Sequence, residues 1–161
     1  MQVTTEPLTA EAFAPFGEVI EHRGAGRRHY VPVQFGDDPA LKETMWVTRL
    51  AEGTSSPARF LSLEHHPFSD QAFVPLRGQP FLAVTCPPTA EGAPDLEAVR
   101  VFRAEAHQGI IWRRGVWHGG LTVLAGPAEF VVIMGTQGAG DDMVFQLPVP
   151  IDVNFEVVTN A

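Results

Sequence analysis

Two short stretches hold the residues best suited to chemistry. The first runs Glu64-His65-His66-Pro67-Phe68-Ser69-Asp70-Gln71 and continues through Ala72-Phe73-Val74-Pro75-Leu76-Arg77-Gly78. It groups a carboxylate, two imidazoles and an amide, then enters an apolar run that ends at Arg-Gly. The second, Gly109-Ile110-Ile111-Trp112-Arg113-Arg114-Gly115-Val116-Trp117-His118, brings another imidazole. Carboxylate and imidazole groups at such positions can carry protons or ligate a divalent cation. Glu64 is the first candidate for a general base or a metal ligand. His66 and His118 are candidate ligands or proton carriers. Imidazole suits nickel, zinc, manganese or iron, so ligand type alone does not select the metal.

These residues need elements to position them. Glu64 and His66 lie two apart, so on a strand both face the same side. Gln71, Phe73 and Arg77 share one side of the next strand if no bulge intervenes. An interior lined by Glu, His, Gln and Arg is not a dry core, because burying such groups unpaired costs several kcal/mol. A wet cavity is the economical reading. His65, of opposite parity, is expected outside it. Trp112 and Trp117 are expected in core or dimer contacts.

The rest of the chain reads as a turn-rich β scaffold. Its 161 residues fit a single domain spanning 1–161, and fourteen prolines and fifteen glycines separate short apolar runs. Thr9 is a candidate N-cap for a short helix over 11–15. Strands are expected at 17–21, 29–33, 45–50, 59–66, 99–103, 110–112, 121–124 and 129–134. Segments 71–76 and 80–86 read as a hairpin about Arg77-Gly78-Gln79. Asp95 is a candidate cap for one helical turn. The segment 145–158 is expected to pair on an edge or with a partner subunit. Many short strands and few helices imply a sandwich or barrel.

Composition excludes several function classes. The formal net charge of −8 argues against nucleic acid or an anionic membrane surface as partner. A single cysteine, Cys86, rules out an internal disulfide and a cysteine-based zinc cage. No signal pattern or spanning apolar run is seen, and a cytoplasmic location is expected.

The two stretches resemble the two cupin motifs. Glu64 and His66 stand at the paired histidine positions of the first motif, Gln71 at its acid and Gly78 at its glycine. Gly115 and His118 match the second motif, without its proline. The departures are themselves similar to the ureidoglycolate lyase family, formerly called ureidoglycolate hydrolase. Glu-x-His-Pro followed by Gln-Ala-Phe-Val-Pro, the Gly-Val-Trp-His stretch and the opening from Leu8 to Val19 all resemble it. His29 and Arg49 match as well.

The resemblance implies an all-β, single-domain cupin-type double-stranded β-helix, a jelly-roll barrel with one or two short helices, that forms a homodimer and takes a small anionic substrate. It implies cleavage of (S)-ureidoglycolate to glyoxylate and urea in allantoin breakdown. Glu64, His66 and His118 are then the expected catalytic residues, with Gln71 added as a metal ligand or substrate-orienting amide. Arg49 and Arg77 become candidates for a bidentate grip on the substrate carboxylate. Phe73 is expected on the pocket wall and His29 near substrate. Nickel is the implied metal, with zinc or manganese as alternatives, and an amide in place of an acid at Gln71 weakens its binding. Competing readings are a non-catalytic cupin binding a small carboxylated ligand and a cupin isomerase or epimerase.

Overall fold

A computed structural model describes residues 1–36 and 38–156. The strands, in chain order, begin with β1 (Gln2–Thr4) and β2 (Glu6–Pro7), followed by helix α1 (Ala10–Phe13). Next come β3 (Gly17–Ile20), β4 (Lys42–Leu50), β5 (Ala58–His65), β6 (Gln71–Arg77) and β7 (Phe81–Cys86). After a 3-10 turn at Leu96–Ala98 the chain forms β8 (Arg100–Ala104), β9 (Gly109–Trp112), β10 (Trp117–His118) and β11 (Thr122–Val123). It ends with β12 (Ala128–Thr136) and β13 (Met143–Asn154). Thr9 caps α1 by accepting from the Ala12 amide, and Asp95 caps the 3-10 turn through Glu97.

The strands form two sheets that face each other as a nearly closed barrel of the cupin, jelly-roll kind. One sheet has the order β1-β13-β5-β10-β7-β8-β2, with β11 also on β7; the other has the order β3-β9-β6-β12-β4. Strand alternation explains how the interior is filled. Every residue of β7 is buried. Phe81 and Ala83 join the cluster of Phe13, Phe102, Phe130 and Trp112. Leu82, Val84 and Cys86 turn the other way, toward Phe60, Trp117 and Ile151. A strand covered on both faces is a near-continuous apolar run, and β7 is one interrupted only by Thr85.

Several expectations are corrected. Segments 71–76 and 80–86 do not form a hairpin: β6 and β7 belong to different sheets, and the chain between them crosses from one to the other. Gly78 makes that crossing against backbone, for a Cβ there would run into the Ala106 carbonyl oxygen. Residues 29–33 are not a strand, because no neighbouring strand pairs with them. The C-terminal strand is not an edge: β13 lies between β1 and β5. Residues 157 and 158 of the expected segment lie outside the described residues.

Candidate active site and metal centre

Cross-strand register places the chemistry in one layer. His118 stands directly opposite Glu64 on β5 and Thr85 on β7. Directly opposed residues share a face of the sheet, so these three form a row on the inner face. In the other sheet Gln71 stands opposite both Trp112 and Met134. The two rows meet where the Trp112 ring stacks on His118, with centroids 4.7 Å apart and planes 11° from parallel. His66, one residue past the end of β5, keeps the parity of Glu64. Its ring centroid lies 5.2 Å from that of His118. The Gly115 amide donates to the His66 carbonyl at 2.9 Å, which ties the two chemical stretches together.

Each imidazole has its orientation fixed from behind. His118 Nδ1 lies 3.0 Å from the Val116 carbonyl, which can only accept, so Nδ1 carries the proton. His66 Nδ1 lies 3.1 Å from the Asp141 carbonyl and 2.9 Å from an Asp142 carboxylate oxygen. Both are acceptors, so this nitrogen is protonated too. The Nε2 lone pairs of both rings are therefore left free, and both atoms are buried without a hydrogen-bond partner. Glu64 Oε1 lies 3.7 Å from His118 Nε2. Ligand atoms of Glu64, His66 and His118 all fall within 4.8 Å of one another.

The donor chemistry fits a divalent cation. The two bare Nε2 atoms, the half-buried Glu64 carboxylate and the buried, unpartnered Gln71 Oε1 supply four lone-pair donors to one space. Unpaired buried acceptors are costly, and a cation would satisfy all four. Asp142 behind His66 is the usual carboxylate support for a ligating histidine. Burial, and next the neighbouring His66, hold His118 down to about 3, so its ring is neutral and ready to ligate. Burial raises the Glu64 carboxyl above its ordinary range; His66 opposes this and Asp142 adds to it.

The space is a cavity of about 290 Å³ reached by Glu64, His66 and Gln71, with Trp46, Met134 and Thr136 also on its wall. No lysine or arginine is among its described lining residues.

The family description for ureidoglycolate lyase matches residues 1–154. The chain belongs to the ureidoglycolate lyase family. It is 40% identical over 147 residues to the ureidoglycolate lyase of Azotobacter vinelandii, covering 86% of this chain and 87% of that one. It is 37% identical over 149 residues to that of Stutzerimonas stutzeri, with 87% and 86% covered. Identity to the Brucella ovis enzyme is 36% over 140 residues, with 81% of each chain covered.

Within this ureidoglycolate lyase fold the structure brings Glu64, His66, Gln71 and His118 together and leaves the other candidates elsewhere. Phe73 is one layer deeper, in the dry core with Phe81 and Phe130. Arg77 is exposed at the far end of β6, six residues or roughly 20 Å from Gln71. A bulge opposite Glu129 and Phe130 breaks the parity that would have turned it inward. Arg49 has odd parity relative to Trp46, so it faces outward, 3.8 Å from Glu129. His29 lies outside the barrel with its ring 6.3 Å from that of His22. His65 points away from the cavity and packs on Trp117, with centroids 4.2 Å apart.

Sequence reasoning missed Asp141, Asp142 and Trp46. Asp141 organises the loop after β12 by accepting from the Gln137 and Gly138 amides, and that loop presents Asp142 to His66. The Gly-Ala-Gly-Asp-Asp run was the available signal: glycines freeing a turn before two acids.

Proposed function

We propose that this chain is a carbon–nitrogen lyase that cleaves (S)-ureidoglycolate to glyoxylate and urea. The observation that carries the reading is the convergence of Glu64, His66 and His118, at a cavity that Glu64 and His66 line, in a ureidoglycolate lyase family chain. His66, His118, Gln71 and one oxygen of Glu64 would hold a divalent cation, nickel first, with zinc and manganese as alternatives. When bound, that cation supplies the positive charge an anionic substrate needs and polarises its oxygens. No described lining residue offers this charge.

The chain's own groups perform the proton work. The substrate carbon bears a hydroxyl, a carboxylate and the ureido nitrogen. The free oxygen of Glu64 takes the hydroxyl proton. The C–N electron pair leaves with nitrogen as the carbonyl of glyoxylate forms. Glu64 then returns the proton to that nitrogen, releasing neutral urea and regenerating the carboxylate. A carboxyl raised toward neutrality by burial serves in both directions. Trp112 backs the His118 ring by stacking, and Met134 lies on the cavity wall as the partner of the Gln71 amide. Cys86, the one thiol, is buried and pushed up to about 12 by burial first, so it is no nucleophile.

The test is to incubate purified, urease-free protein with (S)-ureidoglycolate and to measure urea, ammonia and glyoxylate together. Glyoxylate and urea in equal amounts, faster than the no-protein and His118→Ala controls, are expected. Ammonia rising in step with glyoxylate would mean amide hydrolysis instead. No acceleration would leave a ligand-binding cupin.

The reading extends to a homodimer, supported by the outward face of the β6-β12-β4 sheet. Met45, Val47 and Leu76 there are 69%, 57% and 60% exposed.

A further inference from the structure

Asp70 is a carboxylate 9% exposed, pointing away from the catalytic cavity. Its Oδ1 accepts from the Arg114 amide at 2.9 Å and its Oδ2 from the Gln34 amide at 2.8 Å. Its own amide donates to the Gln34 carbonyl at 3.0 Å. One side chain thus joins three separate pieces of chain: the segment 66–71, the turn 113–116 and the loop at 32–34. The first carries His66 and Gln71. The second leads directly into His118 and also holds the His66 carbonyl through Gly115. Next to Asp70, the Ser69 hydroxyl accepts from the Gly135 amide at 2.7 Å, fixing the same segment to the end of β12.

The chemistry requires an acid here. Two amide donors arrive from opposite partners, and a carboxylate offers each its own oxygen. Asparagine has one oxygen, so its NH₂ would face an N–H donor and one of the two ties would open. Segment 66–71 lies outside regular strand at its centre, so side-chain ties rather than a ladder decide where His66 and Gln71 point.

We propose that Asp70 is a positioning residue for the lyase reaction: it fixes the segment between His66 and Gln71 to the turn that delivers His118. It touches neither substrate nor cation and acts through the placement of those side chains. Misplacement by about 1 Å costs up to about 10²-fold in rate. The role rests on the lyase reading for its kinetic consequence but not for its structural one.

The experiment compares Asp70→Asn with Val153→Ala, which opens a cavity in the packed cluster on the other side of the barrel wall. For both, thermal midpoint, kcat, KM and the imidazole ¹H–¹⁵N resonances of His66 and His118 are recorded. Asp70→Asn is expected to move or split the His66 resonances and to lower kcat at least about 10-fold. Val153→Ala is expected to lose as much thermal stability while leaving resonances and kcat near wild type. Unmoved His66 resonances in Asp70→Asn, or equal kcat losses in the two variants, would overturn the proposal. If the wild-type protein does not turn over ureidoglycolate, the activity reading fails alone, and the resonances still decide the role of Asp70.

Discussion

His118 is fully enclosed, with one ring nitrogen bonded to the Val116 carbonyl and the other bare. In the unfolded chain this ring titrates near its ordinary value of 6.5; folded, it is held down to about 3. The unfolded state therefore binds more protons between those values, and stability rises with pH across the window. Metal-free protein should lose stability as pH falls from 6.5 toward 3, at up to about 1.4 kcal/mol per pH unit from this group. Urea melts at a series of pH values check this, and His118→Asn should flatten the dependence. Glu64 acts with the opposite sign. Its raised folded pKa favours the protonated form, so its contribution is present at low pH and lost as pH rises from 4.5 through the folded value. Glu64→Gln should remove that loss. Each of Glu64→Gln, His66→Ala and His118→Ala should lower kcat/KM at least roughly 10²-fold, the size of a lost acid–base group. Added nickel should raise the wild-type thermal midpoint by mass action and leave that of His118→Ala unmoved.

At the scale of elements, the connection from β6 to β7 decides how the barrel closes. A Cβ at Gly78 would meet the Ala106 carbonyl oxygen, a backbone atom that cannot swing aside. Gly78→Ala should therefore cost about 1–3 kcal/mol, lowering the thermal midpoint by roughly 3–10 °C. The candidate site is at the other end of β6, so kcat/KM at low temperature should stay within about twofold. The same connection shows what local reading misses. Two apolar runs split by Arg-Gly-Gln have the pattern of a hairpin, and nothing in them tells that their partners are β12 and β8. Pairing over long sequence separations leaves no local trace. Period-two alternation, by contrast, belongs to the strand itself. It put Glu64 and His66 on one face, where their ligand atoms converge with that of His118. It failed at Arg77 because a bulge inserts a residue there, and bulges carry no pattern of their own. Asp142 reaches His66 from a loop more than twenty residues beyond His118. Only the folded chain reveals that approach.

For the whole molecule, the outward face of the β6-β12-β4 sheet has the least explained surface. Odd residues of β4 point outward, which puts Met45 and Val47 beside Ile133 and Val131 of β12, with Val74 of β6 beyond. Isolated apolar residues on a surface need no partner, but this is a contiguous patch across three strands. Closed two-fold association makes one patch meet its own copy. Along β4, Glu43 lies toward one end of the patch and Arg49 toward the other. A two-fold axis near Trp46 would bring Glu43 of one copy toward Arg49 of the next, twice over. Trp46 itself forms part of the cavity wall, so the association would steady the site from outside. The expected assembly is thus a homodimer, and Met45→Lys with Val47→Lys should convert it to monomer in analytical ultracentrifugation. Each subunit should remain folded, since both side chains are exposed in the single chain. Charge reversal gives the sharper test: Glu43→Arg alone should weaken the dimer, and adding Arg49→Glu should restore it. A wild-type protein that sediments as a monomer at all concentrations would remove the interface. Failure of the double reversal to rescue would keep a dimer but place its axis elsewhere.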